Sequence, residues 1–295
     1  MRSFKIVSLV AAALMASTAM SQAADILVEP QPELPPEVVP HYGAGGWYIR
    51  GDIGYAKLDA KRVDFFQGVN RSGVFSQAEY DETWTIQGGI GYQVTDYFRV
   101  DATLKYLASS DFTGVSAPGA GVACNGFPAN TCSFSDNSEL EYAAILLANA
   151  YIDLGTYNGF TPYVGAGIGG AKVRFGNLLN DQTCDPAAPA GCSDNDSIHA
   201  GASNTRFAYA FHAGASYDLT CRTKLDGGYS FTKVEGGDFF GTGVGTAGSL
   251  APGVALGGNG FDRGFEIHEG RIGLRYALSD AGCHSPEPEP PVVYK

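Results

Sequence analysis

Glu82-Thr-Trp-Thr-Ile-Gln-Gly-Gly-Ile-Gly-Tyr-Gln-Val94, then Thr95-Asp-Tyr97, then Phe98-Arg-Val-Asp-Ala-Thr-Leu-Lys-Tyr-Leu107 is the stretch that sets the reading of this chain. Two runs alternate apolar and polar residues around a three-residue turn. In the first, Trp84, Ile86, Ile90, Tyr92 and Val94 share one parity, while Thr83, Thr85, Gln87 and Gln93 take the other. In the second, Phe98, Val100, Ala102, Leu104 and Tyr106 oppose Arg99, Asp101, Thr103 and Lys105. A period of two in tightly joined runs predicts an antiparallel hairpin. Soluble strands average about five or six residues, but each arm here reaches about ten, the length a tilted strand needs to cross a bilayer. Aromatic residues near both ends of the apolar stripes suit two membrane interfaces better than one soluble core.

Composition points the same way. Of 295 residues 40 are Gly, aromatics make up 12% and charged residues 17%, which describes a Gly-rich β protein rather than a helical enzyme. Arg2 and Lys5 precede an apolar run from Ile6 to about Ala16, and Ser21-Gln22-Ala23 offers the small residues a signal peptidase reads. Residues 1–23 are therefore expected to be a signal peptide, with Ala24-Asp25 as the mature start. No later apolar run is long enough to span a membrane as a helix, so the exported chain is either soluble or crosses as strands. The net charge of −12 becomes −14 once Arg2 and Lys5 are removed, which argues against nucleic acid as a partner. No cofactor motif is expected.

Residues 24–45 hold five prolines (Pro30, Pro32, Pro35, Pro36, Pro40), and residues 279–295 end in a similar Pro/Glu run, so both read as extended tethers. Between them, in 46–278, eight segments alternate. The first is Trp47–Leu58, and the opening hairpin supplies the second and third. The fourth, Leu140–Leu154, is placed with Leu140, Tyr142, Leu146 and Ile152 outward and Glu141, Asn149 and Asp153 inward. Ile145 and Leu147 on its inner parity keep a helix in competition there. The fifth (Thr161–Phe175), sixth (Arg206–Leu219), seventh (Lys224–Thr232) and eighth (Glu269–Leu278) follow.

Their connections alternate in length. Short links fall near 95–97, 155–160 and 220–223; long ones span about 59–81, 109–139, 176–204 and 234–264. That sorting predicts an all-β fold: an eight-stranded antiparallel up-and-down transmembrane β-barrel with long extracellular loops and short periplasmic turns. The six cysteines then pair locally as Cys124–Cys132, Cys184–Cys192 and Cys221–Cys283 in an oxidising compartment.

The chain resembles the small outer-membrane β-barrel proteins of alphaproteobacteria, relatives in fold of the OmpA transmembrane domain. The resemblance rests on Gly-Gly-Trp-Tyr-Ile-Arg-Gly-Asp-Ile-Gly-Tyr (45–55), Thr-Pro-Tyr-Val-Gly-Ala-Gly-Ile-Gly (161–169) and Arg-Ile-Gly-Leu-Arg-Tyr (271–276). It implies a bacterial outer-membrane location and a role as an envelope component that stabilises the membrane. It also implies dependence on the barrel-assembly machinery, although the last strand here ends Tyr276-Ala-Leu278 rather than on a terminal aromatic. In some members the mature Ala-Asp terminus is joined to peptidoglycan, which would fall on Ala24 and Asp25.

An eight-stranded interior is wide enough only for side chains. The inward set, Arg50, Asp52, Arg99, Asp101, Lys105, Glu141, Asp153, Arg206, Asp218, Asp226, Glu269, Arg271 and Arg275, with Gln87 and Lys224, mixes acids and bases and reads as a plug of paired charges. A narrow porin for small solutes is the alternative. A lipid-modifying enzyme would need a Ser, a His and an acid together near the outer rim, and Ser197 with His199, or His268 near Glu266 and Glu269, are the only candidates. The outward aromatic girdle is expected at Trp47, Tyr55, Trp84, Tyr92, Phe98, Tyr106, Tyr142, Tyr209, Tyr217 and Tyr276. Lys172 and Arg174, outward beyond the apolar band, are candidates for contact with lipopolysaccharide phosphates.

Overall fold

The computed structural model describes residues 45–66, 72–116, 131–190, 192, 194–247, 255–256 and 258–279. All of them belong to the unit Val39–Lys295; the other unit, Met1–Val38, lies outside them. The expected signal peptide, nearly all of both Pro/Glu segments, Ala24, Asp25, Cys124 and Cys283 likewise fall outside the described residues.

The described residues form fourteen strands: β1 (Gly46–Ala60), β2 (Val63–Phe66), β3 (Ser72–Tyr80), β4 (Thr83–Gln93), β5 (Phe98–Leu107), β6 (Ser110–Ser116), β7 (Cys132–Asp153), β8 (Phe160–Phe175), β9 (Leu178–Cys184), β10 (Asn195–Gly201), β11 (Ser203–Asp218), β12 (Thr223–Ala247), β13 (Ala255–Leu256) and β14 (Asn259–Ala277). Eight of them, β1, β4, β5, β7, β8, β11, β12 and β14, pair antiparallel in that order, and β14 closes on β1. Following the pairing from Tyr48 through Gly91, Asp101, Asn149, Gly167, Ala210, Thr232 and Ile267 returns to β1 at Leu58, a shift of ten residues. At about 4.8 Å between strands and about 3.3 Å per residue, eight strands with that shift tilt by about 40° around a cylinder of about 8 Å radius. The sixth-to-seventh, fourth-to-fifth and second-to-third connections are the short turns at one end, as the alternation predicts.

At the other end the long connections fall where the alternation places them, and they carry strands of their own. The connections are largely β-structure, because β14, β2, β3, β6, β7, β9, β10 and β12 form a second closed ring above the first. Each stave of the lower ring continues into the upper one in the same order. Five staves break on the way, at Lys61-Arg62, Asp81-Glu82, Ala108-Ser109, Gly176-Asn177 and Ala202, and backbone bonds such as Lys61 N–H to Gly264 O (3.1 Å) and Ala202 N–H to Phe239 O (3.2 Å) carry the wall across. Two of the three unbroken staves bulge instead, between Leu140 and Tyr142 on β7 and between Asp238 and Phe240 on β12. Such irregularities increase local twist and re-aim the wall.

The bulge on β7 also corrects the fourth segment. It is strand, but the extra residue shifts parity, so Leu140 points into the core and Glu141 turns to the outer wall.

The two rings have different interiors. The upper one opens on an apolar layer, in which Phe65, Phe75, Tyr80, Phe112, Phe134, Phe175, Phe239, Phe240 and Phe265 pack with Leu58, Leu107, Leu140, Ile145 and Val173 from the top of the lower ring; Asp136, Gln182 and Ser197 are also buried on its strands. The lower one is polar. Its tyrosines use the glycines of neighbouring strands as clearance: a Cβ on Gly91 would lie 2.3 Å from the Tyr48 ring, and one on Gly165 would lie 2.3 Å from Tyr151. This is one physical reason for the Gly-rich composition.

Candidate functional site: the filled lumen and the banded wall

Inside the lower ring the charges meet in short-range pairs. Arg50 donates to both oxygens of Asp52 (2.8 and 3.0 Å) and to Asp101 (3.1 Å). Asp101 also accepts from Asn149 (2.7 Å) and from the Tyr48 hydroxyl (3.2 Å). Arg99, fully buried, donates to Asp153 (3.0 Å) while its guanidinium lies 4.2 Å from the Tyr151 ring centre and 4.7 Å from that of Tyr163. Lys105 and Thr85 both bond Glu269, and Arg275 faces Asp226 at 3.4 Å. Such clustering fits the rule that a buried charge is tolerable only when paired and hydrogen-bonded. Arg271 is inward and buried, and its guanidinium nitrogens have no hydrogen-bond partner among the described residues.

Three expected members sit elsewhere. Glu141 pairs with Arg174 on the outer wall. Asp218 pairs with Lys224 (2.9 Å) at the turn end, where both are partly exposed. Arg206 belongs to the junction between rings, where it holds Asp262 through two bonds (2.6 and 2.8 Å) and lies 5.3 Å from the Phe175 ring centre. Asp262 was not foreseen, because its segment read as a loop. His212, between Ser230 (3.1 Å) and Asn149 (3.1 Å), was not foreseen either, although it lies on the inward parity of the sixth segment.

The outer wall of the lower ring carries an apolar band, with Ile49, Ile53, Ile86, Ile90, Leu104, Leu146, Ile168, Phe207, Ile272 and Leu274 facing out. The aromatic residues bound this band in two belts. Trp47, Tyr92, Phe98, Tyr217 and Tyr276 gather near the turn end, with Trp47 and Tyr92 in edge contact at 5.3 Å. Tyr55, Trp84, Tyr106, Tyr142 and Tyr209 lie toward the upper ring, with Tyr55 on Trp84 at 5.1 Å and Tyr106 stacked on Tyr142 at 6.1 Å. Trp47 and Tyr55 are eight residues apart on β1, which at the strand rise and tilt above is about 20 Å of height. That is close to the apolar height of outer-membrane barrels. Lys172 and Arg174 stand on the outer wall beyond the upper belt.

In the upper ring Ser197 Oγ is 3.3 Å from His199 Nε2, and His199 Nδ1 is 3.2 Å from the Gly241 carbonyl. No carboxylate bonds that ring among the described contacts. His268 lies on the outer wall between the Tyr229 hydroxyl (2.6 Å) and Asp59 (3.5 Å), away from any serine contact. Cys184 and Cys192 form a disulfide (Cα–Cα 6.1 Å), and Cys132 and Cys221 each take part in a separate disulfide.

A closed antiparallel ring with an apolar band between two aromatic belts, and a filled interior, defines a small β-barrel of the bacterial outer membrane. The chain belongs to the outer membrane protein beta-barrel domain family, whose model matches residues 9–259. It is similar to an uncharacterised protein of Brucella melitensis, 34% identical over 289 residues that cover 89% of this chain and 94% of the other. A Rickettsia felis protein whose name proposes an adhesin is 28% identical over 208 residues, covering 68% of this chain and 80% of that one. Among solved structures, the outer membrane protein OprG from Pseudomonas aeruginosa aligns over 80% of this chain and 98% of its own, at 13% identity and a TM-score of 0.42.

Proposed function

We propose that this protein is a non-conducting structural barrel that stabilises the outer membrane. The observation that carries the reading is the two-part filling of the lumen: paired charges in the lower ring, and above them an apolar plug in which Phe239 meets Phe112 (4.8 Å) and Phe175 (4.5 Å). A narrow porin needs a continuous wet path, and a dry aromatic layer interrupts one. Among the described residues the His199 ring meets Ser197 and the Gly241 carbonyl, and the role proposed for the barrel is structural rather than enzymatic. The experiment is a deletion strain: loss of the protein raises vesicle shedding and detergent sensitivity while uptake of small hydrophilic solutes stays unchanged. Slower solute uptake with an intact envelope contradicts the proposal.

A tether to peptidoglycan through Ala24-Asp25 is the second part of the proposal, supported by the family resemblance and by the Pro-rich arm that follows. In polyproline form about twenty residues reach roughly 60 Å. Mass spectrometry of muropeptides should recover fragments carrying Ala24-Asp25; muropeptides without them refute the covalent tether and leave the barrel reading intact. Insertion by the barrel-assembly machinery is part of the same proposal, with depletion of that machinery expected to leave the chain protease-sensitive in the periplasm.

A further inference from the structure

At the end of the barrel away from the short turns, the sulfurs of two disulfides are neighbours. β7 begins at Cys132 and β9 ends at Cys184, and the two residues stand directly opposite each other in the antiparallel β7–β9 pairing. The Asp185 N–H donates to the Thr131 carbonyl (2.9 Å), so these two form a hydrogen-bonded pair and the next, Cys132 with Cys184, is a non-hydrogen-bonded one. Pairs of that kind hold their Cα atoms about 4.5 Å apart with both side chains on one face of the sheet. That separation lies inside the range of about 4.4–6.8 Å that a disulfide spans.

Neither sulfur is bonded to the other. Cys184 is joined to Cys192, eight positions on. Cys132 is also disulfide-bonded, and its partner lies outside the described residues, because Cys221, the one other described cysteine, sits in the β11–β12 turn at the opposite end of the barrel. Cys132 is buried, whereas Cys192 is partly exposed on the loop beyond β9. That loop is closed by the Cys184 N–H on Asp194 (2.8 Å) and the Cys192 N–H on the Pro189 carbonyl (3.1 Å). The β6–β7 ladder ends at Gly114 and Asp136, so among the described residues Cys132 to Ser135 are paired with β9 alone.

We propose that Cys192 is a modification site for low-molecular-weight thiols, and that Cys184, released by the thiol, passes its bond to Cys132. The incoming thiolate attacks Cys192 Sγ, the Cys184–Cys192 bond breaks, and Cys184 leaves as a thiolate. Cys184 Sγ then attacks the neighbouring Cys132 Sγ, which forms Cys132–Cys184 and expels the sulfur previously bound to Cys132. The proton of the incoming thiol ends on the expelled sulfur, and Cys192 keeps the thiol as a mixed disulfide. Two disulfides and one thiol stand on each side of the reaction, so nothing is oxidised or reduced overall. Attack falls on Cys192 because it lies beyond the paired strands, while Cys184 is flanked by the buried Cys132. The product braces β7 to β9 covalently where β7 has lost its ladder to β6. This chemistry belongs to the upper ring alone and stands or falls separately from the closed lumen and the tether.

The test treats the folded, oxidised full barrel with glutathione, alkylates the remaining thiols, and maps the linkages by non-reducing proteolysis and mass spectrometry. Peptides joined through Cys132–Cys184 should appear in step with glutathione on Cys192 and with loss of the Cys184–Cys192 bond. Cys192→Ser supplies the Cys184 thiolate without any added thiol, so most molecules should carry Cys132–Cys184 and an alkylated cysteine elsewhere. Cys132→Ser removes the acceptor, and glutathione should then leave Cys184 alkylated. Barrels are scored only if they keep the compact gel mobility of the folded form, and the native arm decides if a variant does not fold. Alkylated Cys184 with no Cys132–Cys184 peptide, in the glutathione-treated native barrel or in Cys192→Ser, overturns the proposal. So does a Cys184–Cys192 bond that glutathione leaves intact, or a Cys132–Cys184 peptide confined to unfolded chains.

Discussion

Phe239 stands edge-on to Phe175, with ring centroids 4.5 Å apart and planes at 86°, and both rings belong to the buried apolar cluster above the polar lumen. Phe239 is 1% exposed, so truncating it leaves a cavity rather than a solvated notch. Phe239→Ala should cost about 3–5 kcal/mol in denaturant unfolding of the detergent-folded barrel. Hydrogen exchange should rise in β6, β9 and the upper part of β12 and stay low in β1 and β5. Equal loosening of both rings would contradict the separation of the two interiors.

Glu269 bonds both Lys105 and Thr85 inside the lower ring. Removing one partner of a buried pair strands the other, so Glu269→Ala should destabilise by about 3–5 kcal/mol, whereas Lys105→Met with Glu269→Leu should recover most of that loss. A double-mutant cycle on urea midpoints measures it, and additive losses would mean that the two groups are not coupled.

Gly165 lies under the Tyr151 ring, where a Cβ would fall 2.3 Å from the ring and 2.9 Å from the Ala150 carbonyl oxygen. Gly165→Val should therefore abolish or sharply reduce barrel closure. Gly227→Ala, on the open outer face, should not. Heat-modifiable gel mobility separates the outcomes, and a fully folded Gly165→Val barrel would show that the interior is looser than described.

Asp64 joins β2 to β14 at the base of the upper ring. Burial opposes its ionisation, but hydrogen bonds from Arg263 and Arg62 outweigh that and hold its carboxyl below the usual carboxylate range. A depressed carboxyl contributes stability that is complete above the unfolded value, about 3.9, and is lost as pH falls through the lower folded value. Amide exchange in Val63–Phe66, corrected for intrinsic rates, should therefore accelerate below about pH 4 in the native protein. In Asp64→Asn it should already be fast at neutral pH. A flat profile in the native protein would remove the role assigned to this carboxylate.

Much of the lower ring was legible in the opening hairpin. Trp84 and Tyr106 face out and Arg99, Asp101 and Lys105 face in, because a period of two survives wherever a wall has one wet and one apolar side. The upper ring was not legible. Its added strands are short, as in Ser72–Tyr80 and Asn195–Gly201, and exist because neighbouring staves offer edges to pair with. Glu141 was misplaced because a single bulge inverts parity without leaving a mark in the alternation. The pairing of Arg206 with Asp262 joins residues 56 positions apart, a contact that only the closed ring creates.

The most direct test of the closed lumen is single-channel recording of the purified full barrel in planar bilayers, alongside Phe239→Ala. The native barrel should show no stable open level above the bare-membrane baseline, and the variant, with its dry layer thinned, at most brief flickers. Large, long-lived and uniform conductance steps from the native barrel would contradict the account.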